Sequence, residues 1–107
     1  MTKIGEFELL VLLAILRLED EPFVLRVREL LEKEAERKVT RGALYRTLDR
    51  MEGKGLIGWQ LDEEAVPERG GHPRRRLRVT SRGKAAVRDS RRVLGRFFGA
   101  VEAVLDR

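Results

Sequence analysis

Residues 40–57 read TRGALYRTLDRMEGKGLI, and their pattern is the most informative in the sequence. Leu44, Leu48 and Met51 recur at intervals of four and three residues, which places all three on one face of a helix. Thr40 stands directly before this pattern and is a typical N-cap residue. The pattern therefore predicts a helix that begins after Thr40 and buries one apolar face.

The opposite face of this helix is basic. At about 100° per residue it carries Gly42, Arg46, Asp49 and Arg50, with Tyr45 beside them. Arginines on such a face can bind phosphates or guanine edges, a tyrosine hydroxyl can donate to a phosphate, and a glycine removes bulk near a nucleic-acid backbone. The alternative is an ordinary solvated face, on which Asp49 pairs with Arg46.

The residues after this helix predict a β-hairpin. Gly55 fits the left-handed position beyond a helix C-terminus. Apolar residues then alternate with others over residues 57–62 and again over residues 76–80, a period of two that indicates half-buried strands. The connection over residues 63–74 is a long loop with two prolines and two glycines. Trp59 follows the strand alternation, which favours packing within the strand over a role as a free stacking surface.

Positive charge is concentrated around the hairpin. The chain has a formal net charge of +5, yet residues 69–92 alone contain ten basic residues and one acidic residue. Such a local concentration indicates an anionic partner such as nucleic acid, whereas a uniformly basic surface would indicate only solubility. The alternative is again a solvated positive face.

Two helices precede the basic one. Residues 5–18 have helical periodicity but are apolar on nearly all faces, so we expect more than one side to be covered and part of the helix to face a second subunit. A second helix is predicted from Pro22, a residue favoured at helix starts, to about Glu36.

The order helix, helix, basic helix and hairpin is typical of a winged helix-turn-helix domain. In this fold the third helix enters the major groove, and the hairpin, or wing, lies beside it on the DNA backbone or in the minor groove. The predicted fold class is therefore mainly α with a small β-hairpin, and the DNA-binding domain covers residues 1–80. The two basic regions are expected to face the same way.

Residues 81–107 predict a long C-terminal helix capped by Thr80. Its first half is basic, whereas its second half repeats apolar residues at helical spacing. A projecting helix cannot bury such a stripe in its own small domain, so we expect it to form a homodimer seam with the first helix. In the alternative, Phe97 and Phe98 fold back on their own core. The predicted dimerisation residues are Leu9, Leu12, Leu13, Leu16, Leu94, Phe97, Phe98, Val101, Val104 and Leu105.

Composition argues against several other classes of protein. The chain has no cysteine and a single histidine, His72, so neither a disulfide nor a metal site is expected. The longest apolar run, residues 9–16, is too short to cross a membrane, and a cytoplasmic protein is expected. No cofactor signature occurs, and Ser81 and Ser90 have no local histidine partner, so an enzyme is not expected.

The chain resembles the PadR family of bacterial transcriptional regulators. The matching segments are GEFELLVLLAIL in the first helix, GALYRTLDRMEGKGLI in the third helix and its exit, and ERGGHPRRRLRVTSRGK from the wing to the last helix. Together they cover most of the chain in the family's order. Where members usually have a Tyr-Gly pair early in the second helix, this chain has Phe23 and Val24.

The resemblance implies a dimeric DNA-binding repressor of the family's short branch, with a single helix after the wing. It also implies an operator contact from Tyr45 and a small lipophilic effector at the dimer interface. A winged helix used for protein or RNA contact, without sequence-specific DNA binding, is the alternative. The expected contacts to double-stranded DNA are Thr40, Arg41, Gly42, Tyr45, Arg46, Arg50, Arg69, His72, Arg74, Arg75 and Arg76.

Overall fold

The computed structural model of the chain describes residues 3–62 and 74–107. Within these ranges the chain forms four helices and one antiparallel hairpin, which confirms the predicted fold class. In chain order the elements are α1 (Glu6–Arg17), α2 (Val24–Glu34), α3 (Arg41–Gly53), β1 (Ile57–Asp62), β2 (Arg74–Val79) and α4 (Ser81–Leu105).

The predicted helix caps are present in the structure. Thr40 Oγ1 accepts a hydrogen bond from the Ala43 backbone N–H at 3.1 Å, and Thr80 Oγ1 accepts one from the Gly83 N–H at 3.0 Å. Each hydroxyl thus satisfies a backbone donor that a helix N-terminus leaves without a partner. Gly55, just beyond α3, has φ of +75°, the left-handed conformation predicted for it.

The hairpin pairs along its whole described length. The register aligns Ile57 with Val79, Trp59 with Leu77 and Asp62 with Arg74. Because side chains alternate across a strand, this register places Ile57 and Leu77, both buried, on the core side of the sheet.

The segment before α2 departs from the sequence prediction. The helix does not begin at Pro22, because Phe23 is extended and residues 22 and 23 pair with the outer edge of β2. The Leu77 N–H donates to the Pro22 carbonyl at 2.9 Å, and Phe23 forms an antiparallel bridge with Arg76. These contacts satisfy an edge that the hairpin would otherwise expose to solvent. The far end also differs, since α2 stops at Glu34 rather than Glu36.

The core lies between α1, α2, α3 and the base of the hairpin. Leu12 is fully buried in it, so the prediction that this residue contacts a second subunit is wrong. The sequence pattern could not reveal this, because a helix with leucines on every face does not show which face is inward. The largest fully buried side chains are Leu12, Leu44, Met51, Leu56, Leu77, Val11 and Val27.

The long helix α4 contacts the domain only near its start. Gly83 and Ala86 are its buried residues, and Val87 packs partly against the core. Beyond them the apolar stripe is open to solvent: Phe97 is 72% exposed and Phe98 is 60% exposed. The alternative in which these two rings fold back on their own core is therefore wrong. Among the described residues, no helix is both long enough and apolar enough to cross a membrane.

Candidate nucleic-acid interface

The outward face of α3 carries the basic side chains that the sequence places there. Arg41, Gly42 and Arg46 are exposed, and Tyr45 is half-buried beside them. A Cβ atom added at Gly42 would lie 3.3 Å from Arg46 Nη1, so the glycine leaves room for this arginine to lie along the helix. No ion pair joins Arg46 to Asp49 in the described structure, in contrast to the solvated-face alternative. Arg46 therefore presents its charge outward.

One arginine of the wing lies beside aromatic rings of β1 and α3. The guanidinium of Arg75, on β2, lies 4.1 Å from the ring centroid of Trp59 and 5.5 Å from that of Tyr45. Arg41 also lies over Tyr45, 5.7 Å from its centroid. Cations at such distances are attracted to the ring faces, and arginine also stacks on them. Arg75 thus joins β1, β2 and α3 into one surface.

Two interactions hold Trp59 in this arrangement, a hydrogen bond to Glu52 and the contact with Arg75. Its indole N–H donates to Glu52 Oε2 at 3.0 Å, and Glu52 lies on α3. The ring also packs partly against the core, as its position in the strand alternation predicts. A rotation of the indole would break the bond to Glu52 and remove the ring from Arg75. The wing and α3 are therefore held side by side, as expected from the sequence.

Comparison with known proteins agrees with this geometry. The model of the Transcriptional regulator PadR-like family matches residues 12–89, which run from the middle of α1 through the hairpin to the first part of α4. The chain belongs to this family. It is thus a PadR-family transcriptional regulator and not an enzyme, and the family's function implies DNA-binding regulation. No functionally curated protein matches the sequence.

Solved structures of PadR regulators share the fold. A PadR family transcription regulator from Clostridium difficile R20291 superposes with a TM-score of 0.77 at 20% identity, covering 94% of this chain and 99% of that chain. A PadR-like transcription factor from Bacteroides fragilis superposes with a TM-score of 0.74 at 21% identity, covering 94% of this chain and 90% of that chain. A PadR family regulator from Eggerthella lenta DSM 2243 superposes with a TM-score of 0.67 at 22% identity, covering 90% of this chain and 80% of that chain.

Two other wing arginines of this PadR regulator contact Phe23. The guanidinium of Arg74 lies 3.8 Å from the ring centroid of Phe23, and that of Arg76 lies 4.9 Å from it. Arg76 also donates to the Asp20 carbonyl at 3.0 Å, and both arginines lie 3.9 Å from Asp62. Strand alternation explains the division, since residues 74 and 76 share one side of β2 and residue 75 has the other.

Arg50 has a structural partner that sequence reasoning missed. Its Nε donates at 3.3 Å to the carboxylate of Glu8, which is only 4% exposed. Lys54 Nζ donates to both carboxylate oxygens at 3.0 Å, and the Gly5 N–H donates to one of them at 2.9 Å. Arg50 remains half exposed, so one arginine both anchors α3 to α1 and faces solvent.

The environment of Glu8 lowers its pKa. Burial by itself raises the pKa of this carboxyl, because it penalises the charged form. The hydrogen bonds from Gly5, Lys54 and Arg50, together with the charge of Lys54, outweigh burial and hold the pKa below the ordinary value of 4.5. No local sequence signal marks this cluster, because its two cations lie more than forty residues along the chain from Glu8.

The remaining predicted contacts stay predictions. Arg69 and His72 lie outside the described residues. Thr40 is exposed at the start of α3, where its hydroxyl oxygen already caps the helix. In residues 3–62 and 74–107, no group of three or more histidine, cysteine or acidic side chains is arranged to hold a metal ion.

Proposed function

We propose that the chain is a homodimeric repressor that binds a palindromic DNA operator. The observation that carries the proposal is the stacking of Arg75 between Trp59 and Tyr45, because it aligns the wing with the exposed face of α3. In a winged helix-turn-helix protein this surface straddles a major groove and the adjacent backbone. A dimer would place two such helices about 34–36 Å apart, one turn of DNA, and would therefore read an inverted repeat.

The two basic elements have different tasks in this proposal. Arg46 is exposed at the centre of the α3 face, where it would contact base edges together with Arg41. Arg75 would contact a phosphate, since its position beside α3 suits the backbone that borders the groove. Tyr45 lies between them and would donate its hydroxyl to the same backbone.

The apolar stripe of α4 supports the proposed dimer. It exposes Phe97, Phe98 and neighbouring aliphatic residues on one side of a projecting helix, and contiguous apolar surface of this kind marks an interface. Leu13 on α1 is 38% exposed, and Leu9 and Leu16 are half-buried, so they remain available to the same partner. We assign residues 1–80 to DNA binding and residues 81–107 to dimerisation, in a cytoplasmic regulator.

Regulation by a small lipophilic molecule completes the proposal. The dimer interface would lie between α1 and α4, where exposed leucine and phenylalanine side chains would line an apolar space. A molecule bound there would change the distance between the two α3 helices and so weaken the fit to one turn of DNA. Release of the operator would follow.

Two arginine substitutions test the division of DNA contacts. Arg46→Ala is expected to weaken binding to the operator by about 1–3 kcal/mol with a much smaller effect on scrambled duplex, because a base contact is lost. Arg75→Ala is expected to weaken both duplexes equally and to reduce the salt dependence of binding by about one counterion. Fluorescence anisotropy titrations at several salt concentrations measure both effects.

The control is Arg17→Ala, which removes the same charge from the end of α1, where Arg17 pairs with Glu34 at 3.2 Å. It should leave the discrimination between the two duplexes unchanged. Equal losses on operator and scrambled DNA for both the Arg46 and Arg75 variants would contradict the proposed division. Equal wild-type affinity for both duplexes would favour a winged helix without sequence-specific DNA binding.

The dimer is tested on the α4 stripe. Phe98→Glu is expected to convert the dimer into monomers at micromolar concentration, because a buried unpaired carboxylate at an apolar interface is strongly unfavourable. Arg96→Glu is the matched control, since it changes the charge on the side of α4 that faces away from the stripe. Sedimentation equilibrium measures the mass of each variant. A wild-type chain that sediments as a monomer would contradict the proposal.

A further inference from the structure

A cleft of about 550 Å³ opens on the same side of the domain as the Arg75 stack. It lies between the N-terminal ends of α2 and α3 and residues 61, 74 and 75 of the hairpin. Its volume is within the range of about 300–1,000 Å³ that small-molecule sites occupy. It is separate from the α1 and α4 surfaces to which the proposed dimer interface belongs.

The lining of this cleft is apolar at its base and at its mouth. Leu44 and Phe23 are buried beneath it, whereas Leu25 is 47% exposed and Leu61 is 55% exposed. These two leucines lie on different elements, α2 and β1, yet border the same space. Covering them with an apolar group would remove their surface from water, which stabilises a complex in proportion to the apolar area buried.

The polar part of the lining is positively charged. Four arginines contribute to it: Arg28, Arg41, Arg74 and Arg75. No aspartate or glutamate is among the described residues that line the cleft. Asp62 lies close to Arg74, and Glu32 lies 3.4 Å from Arg28. Within the described structure, the guanidinium groups of Arg41 and Arg75 contact aromatic rings and no carboxylate.

The start of α2 adds to this positive potential. Its N-cap residue, Phe23, provides no side-chain hydrogen bond, and its first turn has no acidic residue. Val24 and Leu25, in this turn, line the cleft. Backbone N–H groups at a helix N-terminus carry partial positive charge and favour anions.

We propose that this cleft binds a small amphipathic organic anion. An apolar body would cover Leu25 and Leu61, and the anionic group would bind the guanidinium groups of Arg41 and Arg75. A cation would be repelled by the arginines, and an uncharged apolar molecule would leave them without a new partner. An isolated phosphate would use the arginines but none of the apolar lining.

Occupation of the cleft has a consequence for DNA binding, and this consequence rests on the proposed function. Arg41, Tyr45 and Arg75 line the cleft and also belong to the proposed DNA-binding surface. An anion that neutralises these arginines would compete with DNA phosphates for the same donors. The anion and the duplex are therefore expected to weaken each other's binding by the same factor.

Octanoate and its uncharged counterpart 1-octanol test the site without DNA. Isothermal titration calorimetry on the whole chain is expected to show octanoate binding at least about tenfold more tightly than 1-octanol, because a charge-assisted hydrogen bond contributes at least one factor of ten. Equal affinity for the two probes, or no octanoate binding, would overturn the proposal.

Two leucine substitutions locate the site. Leu61→Gln is expected to weaken octanoate binding at least about fivefold, and the exposure of Leu61 means that the fold tolerates the change. Leu30→Gln changes a half-buried leucine of α2 that lies outside both the cleft and the α4 stripe, and it should leave octanoate affinity unchanged. The reverse result would place octanoate away from the cleft and overturn the proposal.

A duplex titration separates the failure of this site from the failure of the proposed function. Octanoate is expected to lower the affinity for operator DNA in the wild-type chain but much less in Leu61→Gln. If octanoate binds the cleft while no duplex binds in its absence, the proposed function fails and the anion site stands. If DNA binds and octanoate leaves its affinity unchanged although the cleft is occupied, the proposed competition is wrong.

Discussion

Gly83→Ala is expected to lower the free energy of unfolding by about 3 kcal/mol, the upper part of the usual range for overpacking. A Cβ atom at this position would lie 2.2 Å from the Leu56 carbonyl oxygen and 2.7 Å from Val79 Cγ1. The carbonyl cannot move freely, because it accepts a hydrogen bond from the Thr80 N–H at 3.0 Å at the junction of the hairpin and α4. Backbone would have to shift to admit a methyl group.

The destabilisation expected for Gly83→Ala is opposite to the effect of helix propensity, so it would show that the site is crowded. Alanine within a helix is favoured over glycine by about 1 kcal/mol, so the crowding at Gly83 must first exceed that gain. Gly53→Ala is the matched control, because at this exposed end of α3 no described atom beyond the adjacent residues and the helix's own backbone lies within 4 Å of the Cβ position. It is expected to raise the free energy of unfolding by up to about 1 kcal/mol.

Urea unfolding measures both glycine variants. The emission of Trp59, the single tryptophan, reports the hairpin, and circular dichroism reports the helices. A Gly83→Ala chain as stable as wild type would show that α4 can move away from the hairpin without cost. The proposed dimer requires that α4 stay fixed against the hairpin, because the contact at Gly83 sets the direction in which the apolar stripe of α4 faces.

Local sequence patterns predict most of this fold because the residues that begin and end its helices lie beside those helices in the sequence. Thr40 and Thr80 each stand before a helical repeat, and both cap the helices that follow. Gly55 follows the third helix and takes the left-handed conformation. The exposure of Phe97 and Phe98 also follows from local spacing, since a long helix after a small domain extends past its core.

The features that sequence reasoning missed depend on distant partners. Phe23 stands beside an apolar helical repeat, but it is extended and bridges to Arg76 on β2. Leu12 belongs to a helix with no polar face, so tertiary packing alone decides that it is inside. Gly83 resembles any other helical glycine until the Leu56 carbonyl is placed against it.

In the candidate site, too, some features follow from the local sequence and others depend on distant partners. The charge pattern predicts that the wing is basic, but it treats Arg74, Arg75 and Arg76 as equivalent. The strand register separates them, since Arg75 stacks between Trp59 and Tyr45 while its two neighbours lie over Phe23. Alternation along β2 could have predicted this separation; the identity of the aromatic partners required the structure.

Glu8→Gln is expected to lower the free energy of unfolding at neutral pH by about 2 kcal/mol. Removing one member of a buried ion pair costs about 3–5 kcal/mol, and the lower value follows because Lys54 and Arg50 can still reach water. The loss would loosen α3 from α1, so the operator affinity of the variant should also fall. Chemical denaturation and duplex titration measure the two effects.

The stabilisation that Glu8 provides is expected to depend on pH. The pKa of Glu8 is lower in the folded chain than its ordinary value of 4.5. Its ionised form therefore stabilises the fold above the unfolded-state pKa, and this stabilisation is lost as pH falls through the folded-state pKa. The difference in unfolding free energy between wild type and Glu8→Gln should accordingly be constant near neutrality and shrink in acid.

Glu6→Gln provides the control for the acid measurements. Glu6 lies in the same turn of α1, but its side chain is 83% exposed and its partner, Arg37, is 3.7 Å away. An exposed pair of this kind contributes at most about 1 kcal/mol, so the free energy of unfolding of Glu6→Gln should follow that of wild type at all pH values. The difference in unfolding free energy between wild type and Glu8→Gln could instead stay constant as the pH falls into the acid range. The Glu8 carboxylate would then not be the charged link between α1 and α3.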